Sequence, residues 1–139
     1  MTTYFNWSDQ LSVHNHKMDY QHRQLIDYIN NFYDAAESGD LSKCIRSFEN
    51  IVSFTTYHFK DEERMMEAAK YPQLDRHKLI HQQLVAQVTE LGNKLAAGNK
   101  QAPADIKIFL KNWLTAHIKG IDMKYSDYVN DDPKQHKTA

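Results

Sequence analysis

The sequence predicts an all-α protein, an antiparallel up-down-up-down four-helix bundle with an irregular N-terminal arm. Three observations predict it. Apolar residues recur with helical period in four separate segments. The connections between these segments are short, about two to eight residues, as expected between bundle neighbours. Glycine (4) and proline (3) are scarce in 139 residues, which leaves few turns. No strand-like alternation competes with the helical period.

Residues 1–18 read as an arm, with Phe5, Trp7, Leu11 and Val13 as its anchors. The bundle spans 19–129, and 130–139 is a polar tail. In the first helix Leu25, Ile26, Ile29, Phe32, Tyr33 and Ala36 form one stripe, and "SGD" at 38–40 ends it with a glycine past the last turn. The second carries Leu41, Cys44, Ile45, Phe48, Ile51, Val52, Thr55, Phe59, Met65 and Met66, and stops at "KYP", with Pro72 suited to the first turn of the next helix. The third has Leu74, Leu84, Val85, Val88, Leu91 and Leu95. After a loop at 96–103, Pro103 opens the fourth, with Ile106, Phe109, Leu110, Trp113 and Leu114.

Bulk properties exclude several functions. Hydrophobic residues make up 41% and charged residues 25%, an ordinary balance for a single globular domain. A net charge of −1 gives no bias toward nucleic acid or anionic membrane. No apolar run is long enough to span a bilayer. The single cysteine, Cys44, cannot form an internal disulfide, and the N-terminus lacks the basic start and apolar run of a signal peptide. The expected location is the cytoplasm.

The eight histidines carry the functional signal. His22 lies on the first apolar stripe, three and four residues before Leu25 and Ile26. His58 and Glu62 are four apart and continue the second stripe. His77 and His81, also four apart, lie between Leu74 and Leu84 on the third. His117 follows Trp113 and Leu114 on the fourth. Glutamate is almost never fully buried without a partner. In an up-down-up-down bundle these six positions share one end, so four helices converge imidazoles on one level. His14, His16 and His136 fall in the arm and tail and read as solvated or locally bonded.

Imidazole-rich sites suit iron, copper, zinc or nickel. Five imidazoles and one or two carboxylates exceed what one zinc takes, and two metals fit better. Neither an HExxH zincin motif nor the Glu-x-x-His pair of carboxylate-rich di-iron bundles occurs. "HIKGID" at 117–122 poses a problem of phase: His117 and Asp122 are five residues apart, about 140° out of register on a straight helix. Gly120 lies between them and lowers the cost of a bend, so a helix end or distortion is expected between Ile118 and Met123.

The pieces "DYQHRQL" (19–25), "HFKDE" (58–62), "HKLIH" (77–81) and "HIKGID" (117–122) resemble the hemerythrin family, specifically its single-domain bacterial members, from about Trp7 to Tyr128. The resemblance implies a non-haem centre of two iron ions that binds O2 reversibly. His77, His81 and His117 would hold one iron, His22 and His58 the other, and Glu62 and Asp122 would bridge them beside an oxo or hydroxo group. Of twelve octahedral positions one then stays open, on the iron with two histidines. An apolar pocket should slow autoxidation. By helical adjacency its candidates are Trp113, Leu114 and Ile118, followed by Leu25, Ile26, Phe59 and Ile121. No further ionisable residue is expected on the core stripes near the ligands. One departure is "SVHNH" at 12–16, where family members often carry a glycine after "SV"; it bears on the arm, not on the ligands.

The resemblance implies an O2 carrier, store or supplier rather than an enzyme, with O2 and an oxygen-consuming enzyme as partners and at most a weak peroxidase-type side activity. Two alternatives are an O2 or redox sensor acting through a partner and a di-iron enzyme with peroxide, NO or iron-oxidation chemistry.

Overall fold

The computed structural model describes residues 4–131. Its four long helices are α1 (His16–Ser38), α2 (Leu41–Ala68), α3 (Leu74–Ala96) and α4 (Ala102–Gly120), followed by a 3-10 turn (Asp122–Tyr125) and the single turn α5 (Ser126–Val129). Each long helix packs on the next, and α4 returns to α1, which closes the square of the bundle. No strand occurs among the described residues, and none of their helices is long and apolar enough to cross a membrane.

The ends of these helices have local causes. The Asn15 side chain accepts from the Met18 N–H at 3.1 Å and starts α1. The helix therefore begins inside the stretch assigned to the arm, and Met18, fully buried, is its first core residue. Gly39 closes α1 with φ +74°, a left-handed conformation that glycine adopts without a Cβ clash. Asp40 caps α2 through the Lys43 N–H at 3.2 Å. Pro72 precedes α3 instead of entering its first turn, whereas Pro103 does sit in the first turn of α4.

The core follows the predicted stripes, with three corrections. Leu41, Val52 and Val85 are 41%, 37% and 45% exposed. They sit at the edges of their stripes, where the register alone assigns no side. Cys44 is buried, and burial followed by the charge of Asp40 raises its thiol pKa, so it reads as core packing.

The arm is tied down rather than loose. Phe5, Leu11 and Val13 are buried, and Trp7, half-buried, lies under the Arg23 guanidinium at 4.7 Å. Asn30 of α1 clamps the arm: its side-chain oxygen accepts from the Phe5 N–H at 2.7 Å, and its amide donates to the Phe5 carbonyl at 2.8 Å. His14, in the "SVHNH" departure, adopts φ +60°. A histidine thus holds a left-handed conformation that costs an L-residue roughly 1–2 kcal/mol. The backbone of His14 and His16 is bonded to Asp131, while the tail beyond it and His136 lie outside the described residues.

Two glycines make opposite predictions. A Cβ on Gly92 would stand 2.8 Å from Cε2 of the buried Phe48 ring, while one on Gly120 would meet nothing within 4 Å. Gly92→Ala should destabilise the chain by about 1 kcal/mol, the packing penalty exceeding the gain in helix propensity. Gly120→Ala should be neutral or stabilising by up to about 0.5–1 kcal/mol. Denaturant unfolding of both variants checks the pair; equal signs would count against it.

Candidate metal centre

The ligand candidates reach one site because four helices present one end of the bundle to it. His22 is in the second turn of α1, His58 and Glu62 in the last turns of α2, His77 and His81 in the first turns of α3, and His117 in the last turn of α4. Asp122 arrives differently. The Ile121 N–H still bonds the His117 carbonyl at 2.8 Å, but Ile121 has φ −112° and ψ −55°, and the chain then tightens into the 3-10 turn. That change of phase turns Asp122 inward, where it is fully buried. The break falls within the expected interval, yet Gly120 itself remains helical and the distortion sits on Ile121.

All seven residues are buried. Their ligand atoms form two groups, Glu62–His77–His81–His117–Asp122 and His22–His58–Glu62–Asp122, each with its atoms within 4.8 Å of one another. The carboxylates divide their oxygens between the two. Glu62 Oε1 lies 3.1 Å from His77 Nε2 and 3.0 Å from His81 Nε2, while Oε2 lies 3.5 Å from His58 Nε2 and 3.9 Å from His22 Nε2. Asp122 Oδ1 lies 3.1 Å from Nε2 of both His77 and His117, while Oδ2 lies 3.1 Å from His22 Nε2.

The donor set fits metal ions. Nε2 of His22, His81 and His117 and both Asp122 oxygens are buried without a hydrogen-bond partner. Buried polar groups left unpaired in this way are rare in proteins, because each forfeits its interaction with water. Five such atoms gathered in two adjoining groups need positive partners, and cations supply them.

Groups behind the histidines set their orientation. The Gln21 amide nitrogen donates to Asp61 at 2.7 Å, and Asp61 pairs with Lys17 at 3.0 Å. This turns the Gln21 carbonyl toward His58, whose Nδ1–H donates to it at 2.6 Å and leaves Nε2 as the lone pair facing the site. His81 Nδ1–H donates to Glu63 at 2.7 Å to the same effect. The Tyr125 hydroxyl, fully buried, donates to Glu62 Oε2 at 2.7 Å. Burial and the Glu62 and Asp122 charges hold its pKa well above the usual tyrosine range, so it stays a donor.

Tyr125 corrects the expectation that no further ionisable residue adjoins the ligands on the core side. It follows the break at Ile121, and helical counting from His117 does not carry across a break. Gln21 was visible in principle: with Met18, His22 and Leu25 it occupies the apolar stripe of α1. Glu63 and Asp61 flank Glu62 in sequence and carried no separate signal.

Of the pocket candidates, Leu25, Ile26, Leu114 and Ile118 are buried. Phe59 stacks on His81 with ring centroids 3.7 Å apart and planes 5° apart. Half-buried Trp113 lies 5.6 Å from the His117 ring, on the three-histidine side. Ile121, also half-buried, lines a cleft beside His77.

The electrostatics predict a pH dependence. Burial works against a charge on His77, but the adjacent carboxylates of Asp122 and Glu62 outweigh it and raise its pKa from 6.5 to about 9. For His117, burial is likewise outweighed by Asp122, and its pKa rises too. A metal takes neutral imidazole, so loading displaces these protons. Loading near neutral pH should therefore acidify a weakly buffered solution, and this release should fade above about pH 9. A raised folded-state pKa adds stability that is full below 6.5 and lost as pH rises through about 9. Thermal melts of the metal-free chain should show the melting temperature falling from about pH 7 to about pH 10; a rise would contradict the assignment.

The family pattern described as "Hemerythrin HHE cation binding domain" matches residues 13–129. The chain is 32% identical over 123 residues to a bacteriohemerythrin of Stenotrophomonas maltophilia, covering 88% of this chain and 80% of the relative. It is 36% identical over 125 residues to a myohemerythrin of Riftia pachyptila, covering 86% and 88%. The crystal structure of a wild-type hemerythrin superposes with a TM-score of 0.83 at 26% identity, over 91% of this chain and 98% of that one. In sequence and in fold, the chain belongs to the hemerythrin family.

Proposed function

We propose that this protein binds O2 reversibly at a non-haem centre of two irons. His77, His81, His117 and His22, His58 are the two histidine groups, and Glu62 and Asp122 are the bridges. One observation carries the reading: each carboxylate offers one oxygen to each histidine group, as a bridge between two ions requires. The donor set favours the same conclusion. With two carboxylates against five imidazoles it stabilises high oxidation states less than a carboxylate-rich site would, which favours binding over oxidation of a substrate.

Two ferrous irons held there would supply the electrons that pass to O2 on binding and return on release. The chain's own part is to hold and to exclude. Gln21 and Glu63 keep His58 and His81 in the tautomer that presents Nε2, and the Tyr125 hydroxyl holds Glu62 in place. Leu25, Ile26, Phe59, Leu114 and Ile118 keep water from the site, which disfavours the charge separation and proton delivery that end in irreversible oxidation. Carriage, storage or supply of O2 to an oxygen-consuming enzyme in the cytoplasm is part of the same proposal.

Anaerobic loading with ferrous iron, metal analysis and cycling between air and vacuum test it. Two irons per chain are expected, with a visible absorption band that appears in air, disappears under vacuum and returns. One metal per chain, zinc in place of iron, or irreversible oxidation with no oxygenated species would overturn the reading.

A further inference from the structure

The break at Ile121 also shapes the surface outside the centre. Ile121 and Lys124 face the first turns of α3 across a cleft of about 320 Å³, with Tyr71, Arg76 and Ile80 on its other walls and His77 within it. The volume is at the lower end of small-molecule sites.

His77 is engaged with Glu62 and Asp122, but two cations and a phenol also line the cleft. Arg76 and Lys124 form no ion pair with any described residue, although α3 and the 3-10 turn carry carboxylates. Tyr71 is only 6% exposed; its ring packs edge-on against Tyr125 and Tyr128 at 6.3 and 5.2 Å, and its hydroxyl makes no hydrogen bond to a described residue. Gln73, the N-cap of α3, makes no side-chain cap hydrogen bond and lines the same cleft. Two cations and one free hydroxyl favour negative charge. Ile80, Ile121 and the Tyr71 ring offer apolar walls beside them.

We propose that this cleft binds a small organic anion, its head group between Arg76 and Lys124 within reach of the Tyr71 hydroxyl, its apolar body against Ile80, Ile121 and the Tyr71 ring. A carboxylate and a phosphate monoester share this chemistry. The site is independent of the reading given for the metal centre, although its occupant would lie against His77.

Calorimetric titration of the iron-loaded protein with benzoate, phenyl phosphate and neutral benzyl alcohol tests it. At least one of the two anions should bind about tenfold or more tighter than the alcohol, and which one does so identifies the head group. The R76E/K124E variant should weaken that anion at least about tenfold while iron content and the O2-linked absorption stay unchanged. Tyr71→Phe should weaken it by roughly two- to tenfold, the worth of one hydrogen bond. Equal binding of anion and alcohol, no binding of either anion, or undiminished binding to R76E/K124E would overturn the proposal. So would an anion that shifts the iron absorption and still binds R76E/K124E, since it sits on the metal. If charge reversal disturbs the fold, R76Q/K124Q makes the same comparison. Loss of O2 cycling with anion binding intact would instead count against the function of the centre alone.

Discussion

Replacing Asp122 with alanine is expected to strip the centre of its metals while leaving the four helices in place. The side chain offers Oδ1 to His77 and His117 and Oδ2 to His22, so its loss removes a ligand from both histidine groups at once. Losing a group that only orients a ligand costs about 10–100-fold in metal affinity, and losing a shared ligand should cost at least the upper figure. Iron retained against a competing chelator should fall accordingly, and the air-dependent absorption should vanish. Circular dichroism should be unchanged, because Asp122 lies beyond the end of α4 and caps no helix. Asp75→Ala, at an exposed position in the first turn of α3, is the control and should retain iron. An Asp122→Ala chain that holds two irons and cycles with air would refute the bridging role.

Replacing Phe32 with alanine should do the reverse, lowering stability while sparing the site. Phe32 is fully buried in α1 and meets Phe48 of α2 edge to face, with centroids 6.1 Å apart at 64°. It lies ten residues beyond His22, toward the opposite end of the bundle. Deleting a buried aromatic ring costs about 3–5 kcal/mol, partly in transfer and partly in the cavity left behind. At roughly 4 °C per kcal/mol for a chain of this length, the melting temperature should fall by about 12–20 °C. The measurement belongs on the metal-free chain, because bound metal adds stability by mass action. Below the new transition the variant should still load iron and cycle with air. A loss under about 1 kcal/mol would mean that the core repacks around the gap.

These two variants mark different levels of the sequence. Phe32 follows from period alone: apolar residues at 25, 26, 29, 32, 33 and 36 define one helix face, of which 25, 26, 29 and 32 are buried and 33 and 36 partly so. His22, His58, Glu62, His77, His81 and His117 were assigned in the same way, as polar residues on apolar stripes. The rule worked because helical register is local, and a straight helix carries it for many turns. It failed at stripe edges, where Val52 and Val85 face solvent, since the neighbouring helix and not the period decides how wide a stripe is covered.

Asp122 was legible only as a misfit in spacing that a break would resolve. The break exists, but glycine is not its site: Gly120 stays helical and Ile121 bends. Tyr125, Glu63 and the Arg76–Lys124 cleft had no legible signature, although Tyr125 bonds Glu62 as closely as any group in the centre. Each depends on chain segments far apart in sequence meeting in space. Counting residues along one helix says which face a side chain occupies. It does not carry through a change of backbone phase, and it does not say what the next helix brings to meet that face. The helices, their buried faces and the histidine convergence were therefore in the amino-acid order. The division of each carboxylate between two histidine groups, the tyrosine on Glu62 and the cationic cleft came from packing, where position in space rather than position in sequence sets the contacts.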